Sequence, residues 1–275
     1  MGKNLVLKVF AHAVSQSTKL VKFCRLVVSV YDNDQQADIR TNGELNLIKF
    51  MAFNSTKESI FFDIGANVGD WSAELLRASY KGALYPVDPL KRNLTMVTAR
   101  LQPNNCQKVV TSELALSDYE GTAKFYTNVH LENSGHDSLS DMAEIGYHEK
   151  TDEIEVQVSS LDRLCGELGV TQIDFVKIDV EGHEFNVLKG AKNLLSKRAI
   201  KFIQLELGHA MRANRVYFHD VFVFLDEFNY VPFVIIPRGV RRLEFTPFLE
   251  NRYSFVNLLF VRKDCIDMIT DIIRR

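Results

Sequence analysis

The sequence predicts an α/β fold, a mostly parallel sheet with helices on both faces. Three observations carry the prediction. From about residue 58, short apolar runs alternate with stretches of helical period. Several of those runs end in Gly or Asp, as strands do where a ligand crevice opens. And 275 residues, 46% hydrophobic and 25% charged, suffice for one large core or two small ones. This composition excludes wholesale disorder and collagen-like or low-complexity architecture.

The elements follow in order. Residues 1–31 place apolar or small side chains at Leu5, Val6, Val9, Phe10, Ala13, Val14, Ser17, Leu20, Val21, Cys24, Val27 and Val28, a helical stripe. The segment carries Lys3, Lys8, Lys19, Lys22 and Arg25, with no acid before Asp32. Such a helix either packs on the main domain with its lysines solvated or lies on an anionic membrane. Packing is the commoner arrangement and is expected here, with peripheral membrane contact as the alternative. Asp32 to Asn42 is polar and turn-like, and Leu45–Phe53 reads as a short helix. Strands are expected at Ser59–Ile64, Ala83–Val87, Lys108–Thr111, Ile173–Ile178, Phe202–Leu207, Tyr230–Ile236 and Phe255–Val261. Helices are expected at Asp70–Ser79, Lys91–Leu101, Glu184–Leu195 and Asp220–Phe228, with a short one at Asp264–Arg275. Thr122–Tyr126 and Ile154–Val158 alternate as antiparallel strands do. The polar segment between them, Asn128 to Asp152, holds His130, His136 and His148 and is long enough to be functional.

Lys+Arg total 33 against Asp+Glu 35, a formal charge of -2, so no nucleic-acid partner is expected. Cys24, Cys106, Cys165 and Cys265 form no CxxC, which fits neither a zinc ribbon nor a small disulfide scaffold. Free thiols point to a reducing compartment. No run reaches ~18 apolar residues and no signal peptide is read, so the expected location is the cytoplasm or the inner face of the membrane.

Four motifs carry chemistry. In Phe61-Phe62-Asp63-Ile64-Gly65-Ala66-Asn67-Val68-Gly69-Asp70 a strand runs into a glycine turn that opens a helix. The G-x-G-x-x-G pattern is absent, which argues against a dinucleotide. Asp63 suits a cationic ligand such as an amino-acid ammonium. Asp88, in Val87-Asp88-Pro89, ends the next strand 25 positions after Asp63. It either accepts hydrogen bonds from ribose hydroxyls or caps a helix. Ser117-Asp118 either forms a turn or receives an adenine amino group. In Asp174-Phe175-Val176-Lys177-Ile178-Asp179-Val180-Glu181-Gly182-His183-Glu184 a strand ends in crowded carboxylates and a histidine. Such crowding raises pKa values and marks functional sites.

Together these blocks resemble the FkbM family of S-adenosylmethionine (SAM)-dependent methyltransferases. The matching stretches are FDIGANVGDWS (62–72), VDP (87–89), LALSDYEGTAKFY (114–126), LDRL (161–164), DFVKIDVEGHEFNVLKGA (174–191) and IQLE (203–206). The likeness spans roughly residues 45–262, so residues 1–44 read as an N-terminal extension and 263–275 as a tail. Asp88 stands where members often carry Glu. The resemblance implies a class I, Rossmann-like methyltransferase fold, with a seven-stranded sheet whose last strand is antiparallel. It implies SAM as cofactor and O-methylation of a hydroxyl on a small-molecule, glycan or lipid-linked acceptor such as a sugar, glycolipid or polyketide-like product. With it, Asp63, Gly65, Asn67, Gly69, Asp88, Ser117, Asp118 and Asp179 are the expected cofactor-binding residues. Asp179, His183 and Glu206 are the expected catalytic ones, because an alcohol must lose its proton to a base. His183 has the ordinary pKa nearest neutrality. A divalent ion held by Asp179, Glu206 and His209 is an alternative with hard oxygen ligands, and no metal is expected. The segment of about 122–158 reads as an insert, and 128–152 within it as an acceptor-binding lid. Two rival functions are a nicotinamide oxidoreductase and a catalytically silent SAM-binding module anchored through residues 1–31.

Overall fold

A computed structural model of the chain describes residues 8, 11–12, 14–101, 106–127, 137–140, 152–244, 246 and 255–274. His130, His136 and His148, and with them most of the expected lid, lie outside the described residues.

The central sheet is built from the strand–helix alternation. Helix α1 (Thr18–Asp32) and helix α2 (Glu44–Phe53) precede β1 (Ile60–Ile64), α3 (Asp70–Arg77), β2 (Ala83–Asp88) and α4 (Lys91–Arg100). Short strands β3 (Lys108–Val109), β4 (Ser112–Glu113) and β5 (Ala115–Leu116) follow, then β6 (Gly121–Thr127), β7 (Asp152–Ser159) and α5 (Leu161–Leu168). β8 (Ile173–Ile178), α6 (Glu184–Lys189), α7 (Lys192–Ser196) and β9 (Ile200–Gly208) come next. A 3₁₀ turn (His209–Asn214), α8 (Phe218–Glu227), β10 (Tyr230–Ile236), β11 (Gly239–Arg242), β12 (Phe255–Arg262), a 3₁₀ stretch (Lys263–Ile272) and β13 (Ile273–Arg274) complete the chain.

The sheet order is β13-β11-β10-β12-β9-β8-β1-β2-β3, with β4 also on β2. β1 pairs in parallel with β2 and β8, and β8 with β9. β12 runs antiparallel between β9 and β10. The seven expected strands are therefore all present, with the last one antiparallel, and β4, β11 and β13 extend the sheet. This is the class I methyltransferase arrangement.

Period-two alternation explains why both faces are covered. Phe61 and Phe175 join a core on one face with Leu84, Trp71 and Ile48. Phe62, Val176 and Ile203 join the core on the other face with Leu161, Val187 and Val221. The Phe61 and Phe175 rings lie 5.3 Å apart, tying the two central strands together.

Four local readings need correcting. The helix expected over 184–195 breaks between Lys189 and Lys192. Gly190 caps α6 and Ala191, at φ -106° and ψ 10°, starts α7; Gly190 also lies so close to the Ser117 carbonyl that an added Cβ would stand 1.9 Å from its oxygen. The strand expected over 108–111 is only Lys108–Val109, and a separate short strand beyond it, Ser112–Glu113, also pairs with β2. The expected C-terminal helix is 3₁₀ and ends in β13, whose pairing with β11 takes over its last residues. Helix α5 was not foreseen beyond its LDRL stretch; it is bounded by Ser160, whose hydroxyl accepts from Arg163 N–H, and by left-handed Gly169.

β6 and β7 do pair antiparallel, from Gly121↔Val158 to Thr127↔Asp152. The packing expected of the N-terminal helix is found only in part within α1: Leu20, Val21 and Cys24 are half-buried, whereas Phe23, Leu26, Val27, Val28, Val30 and Tyr31 each expose more than half of their surface, and Leu5, Val6, Val9, Phe10 and Ala13 lie outside the described residues. Among the described residues, no helix is long and apolar enough to cross a membrane.

Candidate active site

The parallel strands β1, β2 and β8 end at a cleft of about 630 Å³ lined by Gly65, Asn67, Asp88, Asp137, Leu139, Asp179, Glu181 and His183, among others. Its floor is the turn after β1. Gly65 and Ala66 N–H both donate to the Val87 carbonyl, at 2.9 and 3.0 Å, and Asp179 N–H donates to the Ile64 carbonyl at 3.0 Å. Gly65 has φ +76°, and a Cβ there would stand 1.8 Å from the Asp179 carbonyl oxygen. Glycine is required by the backbone of β8 itself, before any ligand enters. Gly69 lies outside the cleft lining; its φ of +84° starts α3, and its Cα faces Val97.

Asp88 closes one side of this floor. Its Oδ2 accepts from Asn67 N–H at 2.9 Å, and its Oδ1 accepts from Leu90 N–H at 2.8 Å and Asn93 Nδ2 at 3.0 Å. Leu90, not Asp88, is the N-cap of α4, but the Asp88 carboxylate holds that cap's N–H and the Asn93 side chain. A carboxylate has about four acceptor positions, so one remains for a ligand. Burial pushes the Asp88 pKa up to about 7 against these three donors.

The other side is carboxylate-rich. Lys177, buried in the middle of the sheet, donates to Asp179 Oδ2 at 2.8 Å and stands 4.0 Å from Asp63 Oδ1. Burial would neutralise it, but Asp179, Asp63 and Glu44 hold its pKa above the ordinary lysine value. Asp63 is fully buried, accepts from the Ser72 hydroxyl at 2.6 Å, and is kept above its usual pKa by burial. It supports the site through Lys177 and is not in the cleft lining. A polar chain continues through the sheet: Gln204 Nε2 donates to Glu44 and to Asn257 Oδ1, and Asn257 Nδ2 donates to Glu206 at 3.2 Å. Burial and the Asp179 charge push Glu206 up to about 8, and burial with Asp179, Glu206 and Glu184 pushes Glu181 well above its usual value.

The turn after β8 is shaped by Glu184, whose Oε1 accepts from Val180 and Gly182 N–H at 3.1 and 3.0 Å. This leaves Glu181 at φ +51°, a conformation that costs a non-glycine residue about 1–2 kcal/mol. His183 is buried, not solvent-facing; its Nε2 lies 2.9 Å from the Ser117 hydroxyl, and burial lowers its pKa to about 4. Ser117 is fully buried, and Asp118 pairs with Lys189 at 2.7 Å. These two sit behind the cleft wall formed by Leu114, Ala115 and Leu116 and are not in its lining. Burial raises the Asp118 pKa, but Lys189 outweighs it and the net shift is downward.

Part of the insert reaches the cleft. The Ser138 hydroxyl donates to the Glu181 carbonyl at 2.8 Å, and Asn214 Nδ2 donates to Ser140 Oγ at 2.6 Å and the Gly182 carbonyl at 2.8 Å. Residues 137–140 are thereby fastened to the Glu181 turn, with Asp137 and Leu139 in the lining. Among the described residues, no three His, Cys, Asp or Glu side chains converge as a metal-binding set, so Asp179, Glu206 and His209 do not form one.

Of the expected residues, Gly65, Asn67, Asp88, Asp179 and His183 share the cleft, while Asp63, Gly69, Ser117, Asp118 and Glu206 surround it. Sequence reasoning missed Lys177, Glu44, Gln204, Asn257, Asp137 and Leu139. A lysine inside an apolar strand was a legible signal, because a buried ammonium needs carboxylate partners. Glu44 and Asn257 carried no local signal.

The chain's residues 63–232 match the family model described as the methyltransferase FkbM domain. It is 26% identical over 157 residues to the 2-O-methyltransferase NoeI of Sinorhizobium fredii, covering 54% of this chain and 63% of that protein. It is 24% identical over 167 residues to the hexuronic acid methyltransferase AglP of Haloferax volcanii, covering 60% of this chain and 62% of the relative. The chain thus spans less than two thirds of the length of each. Among solved structures, a TehB-like SAM-dependent methyltransferase from Corynebacterium glutamicum aligns over 81% of this chain and 88% of its own, at 12% identity and a TM-score of 0.40. With the family model covering more than half of the sequence, the chain belongs to the FkbM family of SAM-dependent methyltransferases.

Proposed function

We propose that the protein transfers a methyl group from SAM to a hydroxyl of a sugar, free or lipid-linked. The observation that carries this reading is the placement of a carboxylate cluster, Asp179, Glu181 and Glu206, beside a cleft whose opposite wall ends in Asp88. The names of the two relatives, a 2-O-methyltransferase and a hexuronic acid methyltransferase, support a sugar acceptor. Residues 45–262 are the catalytic domain in this reading, and the segment of about 122–158 is the acceptor lid. Peripheral contact of residues 1–31 with the cytoplasmic face of a membrane accompanies a lipid-linked acceptor.

The residues present suit SAM. Asp88 offers its remaining acceptor position to the ribose, and Asp179 and Glu181 offer negative charge to the amino-acid ammonium. When bound, SAM supplies an electrophilic methyl on a sulfonium, which an acceptor oxygen displaces in line. The protein's main task is alignment. Gly65, pinned between β2 and β8, sets the depth of the cleft floor. Lys177 holds Asp179 in one orientation at 2.8 Å. His183 anchors the Ser117 turn behind the adenosine side of the cleft.

Glu206 is the better base. Raised to about 8, it is poised to take a proton near neutral pH, whereas His183, lowered to about 4 and hydrogen-bonded to Ser117, is a poor proton acceptor. Glu206 is half-buried at the carboxyl end of β9, the side on which an acceptor must lie. The test is SAM binding by titration calorimetry, followed by transfer to saccharide acceptors with parent and Glu206→Gln. Binding with transfer by the parent alone is expected; parent-like transfer by the variant removes Glu206 as base.

A further inference from the structure

Helix α1 holds an apolar face in solvent. At ~100° per residue, Leu26, Val30, Phe23, Val27, Tyr31 and Val28 sweep roughly 200° of its circumference, and all six expose more than half of their surface. Lys22 and Arg25 fall on the opposite arc, and Lys19 at its edge; all three are exposed. No acid occurs in residues 1–31, and the first one, Asp32, is buried against Arg241 at 3.6 Å. The exposed charge of α1 is therefore purely positive.

The helix is also rooted at a particular place. Its cap residue Asn33 donates from Nδ2 to the Asn42 carbonyl at 2.6 Å and to the Ile235 carbonyl at 3.0 Å. Gln35 N–H donates to the Phe255 carbonyl at 3.2 Å. Ile235 lies near the carboxyl end of β10, and Phe255 pairs with Gly208 at the carboxyl end of β9. Both ends open on the same edge of the sheet as the cleft. Asn33, Asp32 and Asn42 are all buried, so the root is a packed joint.

We propose that α1 docks the protein on an anionic bilayer surface, apolar face in the interface, with the cleft end of the sheet toward the lipid. An exposed apolar arc together with basic side chains is the combination that interfacial helices use. Long lysine and arginine stems reach the headgroups while their apolar neighbours enter the acyl boundary. A second copy of the chain would cover the apolar arc but leave the basic arc without a partner, whereas an anionic bilayer answers both. The placement deepens the functional reading and rests on it only for the acceptor, which would be presented from the membrane; docking itself needs neither SAM nor acceptor.

The test is co-sedimentation of the full chain with phosphatidylcholine vesicles and with vesicles containing phosphatidylglycerol, at low and at ~0.5 M salt. Parent is expected to bind the anionic vesicles at least tenfold better than the neutral ones, and to weaken as salt rises. Phe23→Ser/Val27→Ser/Val30→Ser is expected to lose binding to both, and Lys22→Glu/Arg25→Glu to lose the preference for anionic lipid. These positions are exposed, and unchanged SAM affinity in each variant shows that the catalytic domain is intact. Failure of parent to bind anionic vesicles at low salt overturns the proposal. So does a concentration-dependent dimer, seen by sedimentation velocity, that the triple serine variant dissociates.

Discussion

Asp88 offers the sharpest expected link between charge and cofactor binding. Three donors already converge on it, from Asn67, Leu90 and Asn93. Its pKa is raised to about 7, so the free protein is ~10% ionised there at pH 6 and ~90% ionised at pH 8. If ribose hydroxyls donate to the carboxylate, SAM affinity should fall about tenfold between pH 8 and pH 6, or ~1.4 kcal/mol. Asp88→Asn keeps the shape but turns one acceptor into a donor facing donors. It should weaken SAM binding by ~1–3 kcal/mol, roughly 5–150-fold, and should abolish this part of the pH dependence. The assay is titration calorimetry with SAM at pH 6, 7 and 8 on parent and variant. The dependence of stability on pH has the opposite sign. A carboxyl whose folded pKa is raised binds a proton more tightly when folded, so its contribution to stability declines as pH climbs from about 4 to 7. A folded Asp88→Asn protein with parental affinity and parental pH slope would refute the ribose assignment.

Other outcomes follow from the same geometry. Turnover should rise with pH through about 8, the Glu206 value, and Glu206→Gln should remove that limb and lower kcat by ~10²–10⁴-fold. His183→Ala should keep the limb, because the histidine is neutral above about 4; a pH–rate series on both variants checks this. Gly65→Ala should destabilise the fold by more than ~1 kcal/mol, from the left-handed backbone and the collision with the Asp179 carbonyl, measured by urea denaturation. Lys177→Met should cost ~3–5 kcal/mol by leaving Asp63, Asp179 and Glu44 without their cation, read from the same denaturation curves. Asn214→Ala removes one of the fastenings of residues 137–140 to the Glu181 turn, leaving the Ser138 bond, and should raise the acceptor KM with SAM affinity nearly unchanged, as steady-state kinetics would show.

The parts of this structure that were legible in the sequence are those with local causes. β1, β2, β8 and β10 could be read because apolar runs stop at Gly, Asp or a polar turn, and a strand's length is set by where burial ends. The Gly65 turn and Asp88 were found by position along the chain. The reason for Gly65 was not, because it depends on the Asp179 carbonyl, 114 residues away in sequence. His183 reads as a candidate base from its ordinary pKa, yet the turn drawn in by Glu184 buries it against Ser117. The need for glycine at 190 has the same origin, a close approach to the Ser117 carbonyl that no local propensity reports. Glu44 and Asn257 reach the site from elements that flank the family match, through hydrogen bonds to Gln204 that only the closed sheet creates. The apolar face of α1 was legible as a stripe, but not its exposure, since periodicity identifies a face and not what covers it.

The central claim, methyl transfer from SAM to a sugar hydroxyl, is tested most directly by following the label from methyl-labelled SAM. The purified chain is incubated with a panel of saccharides, hexuronic acids among them, and with a membrane lipid extract. The labelled product is isolated and treated with alkali. Label is expected in a saccharide-containing product that survives alkali, as a methyl ether does, and that is absent with Glu206→Gln. Label that alkali releases, as from a methyl ester, would contradict transfer to a hydroxyl, and label on a product without a sugar would contradict the acceptor class.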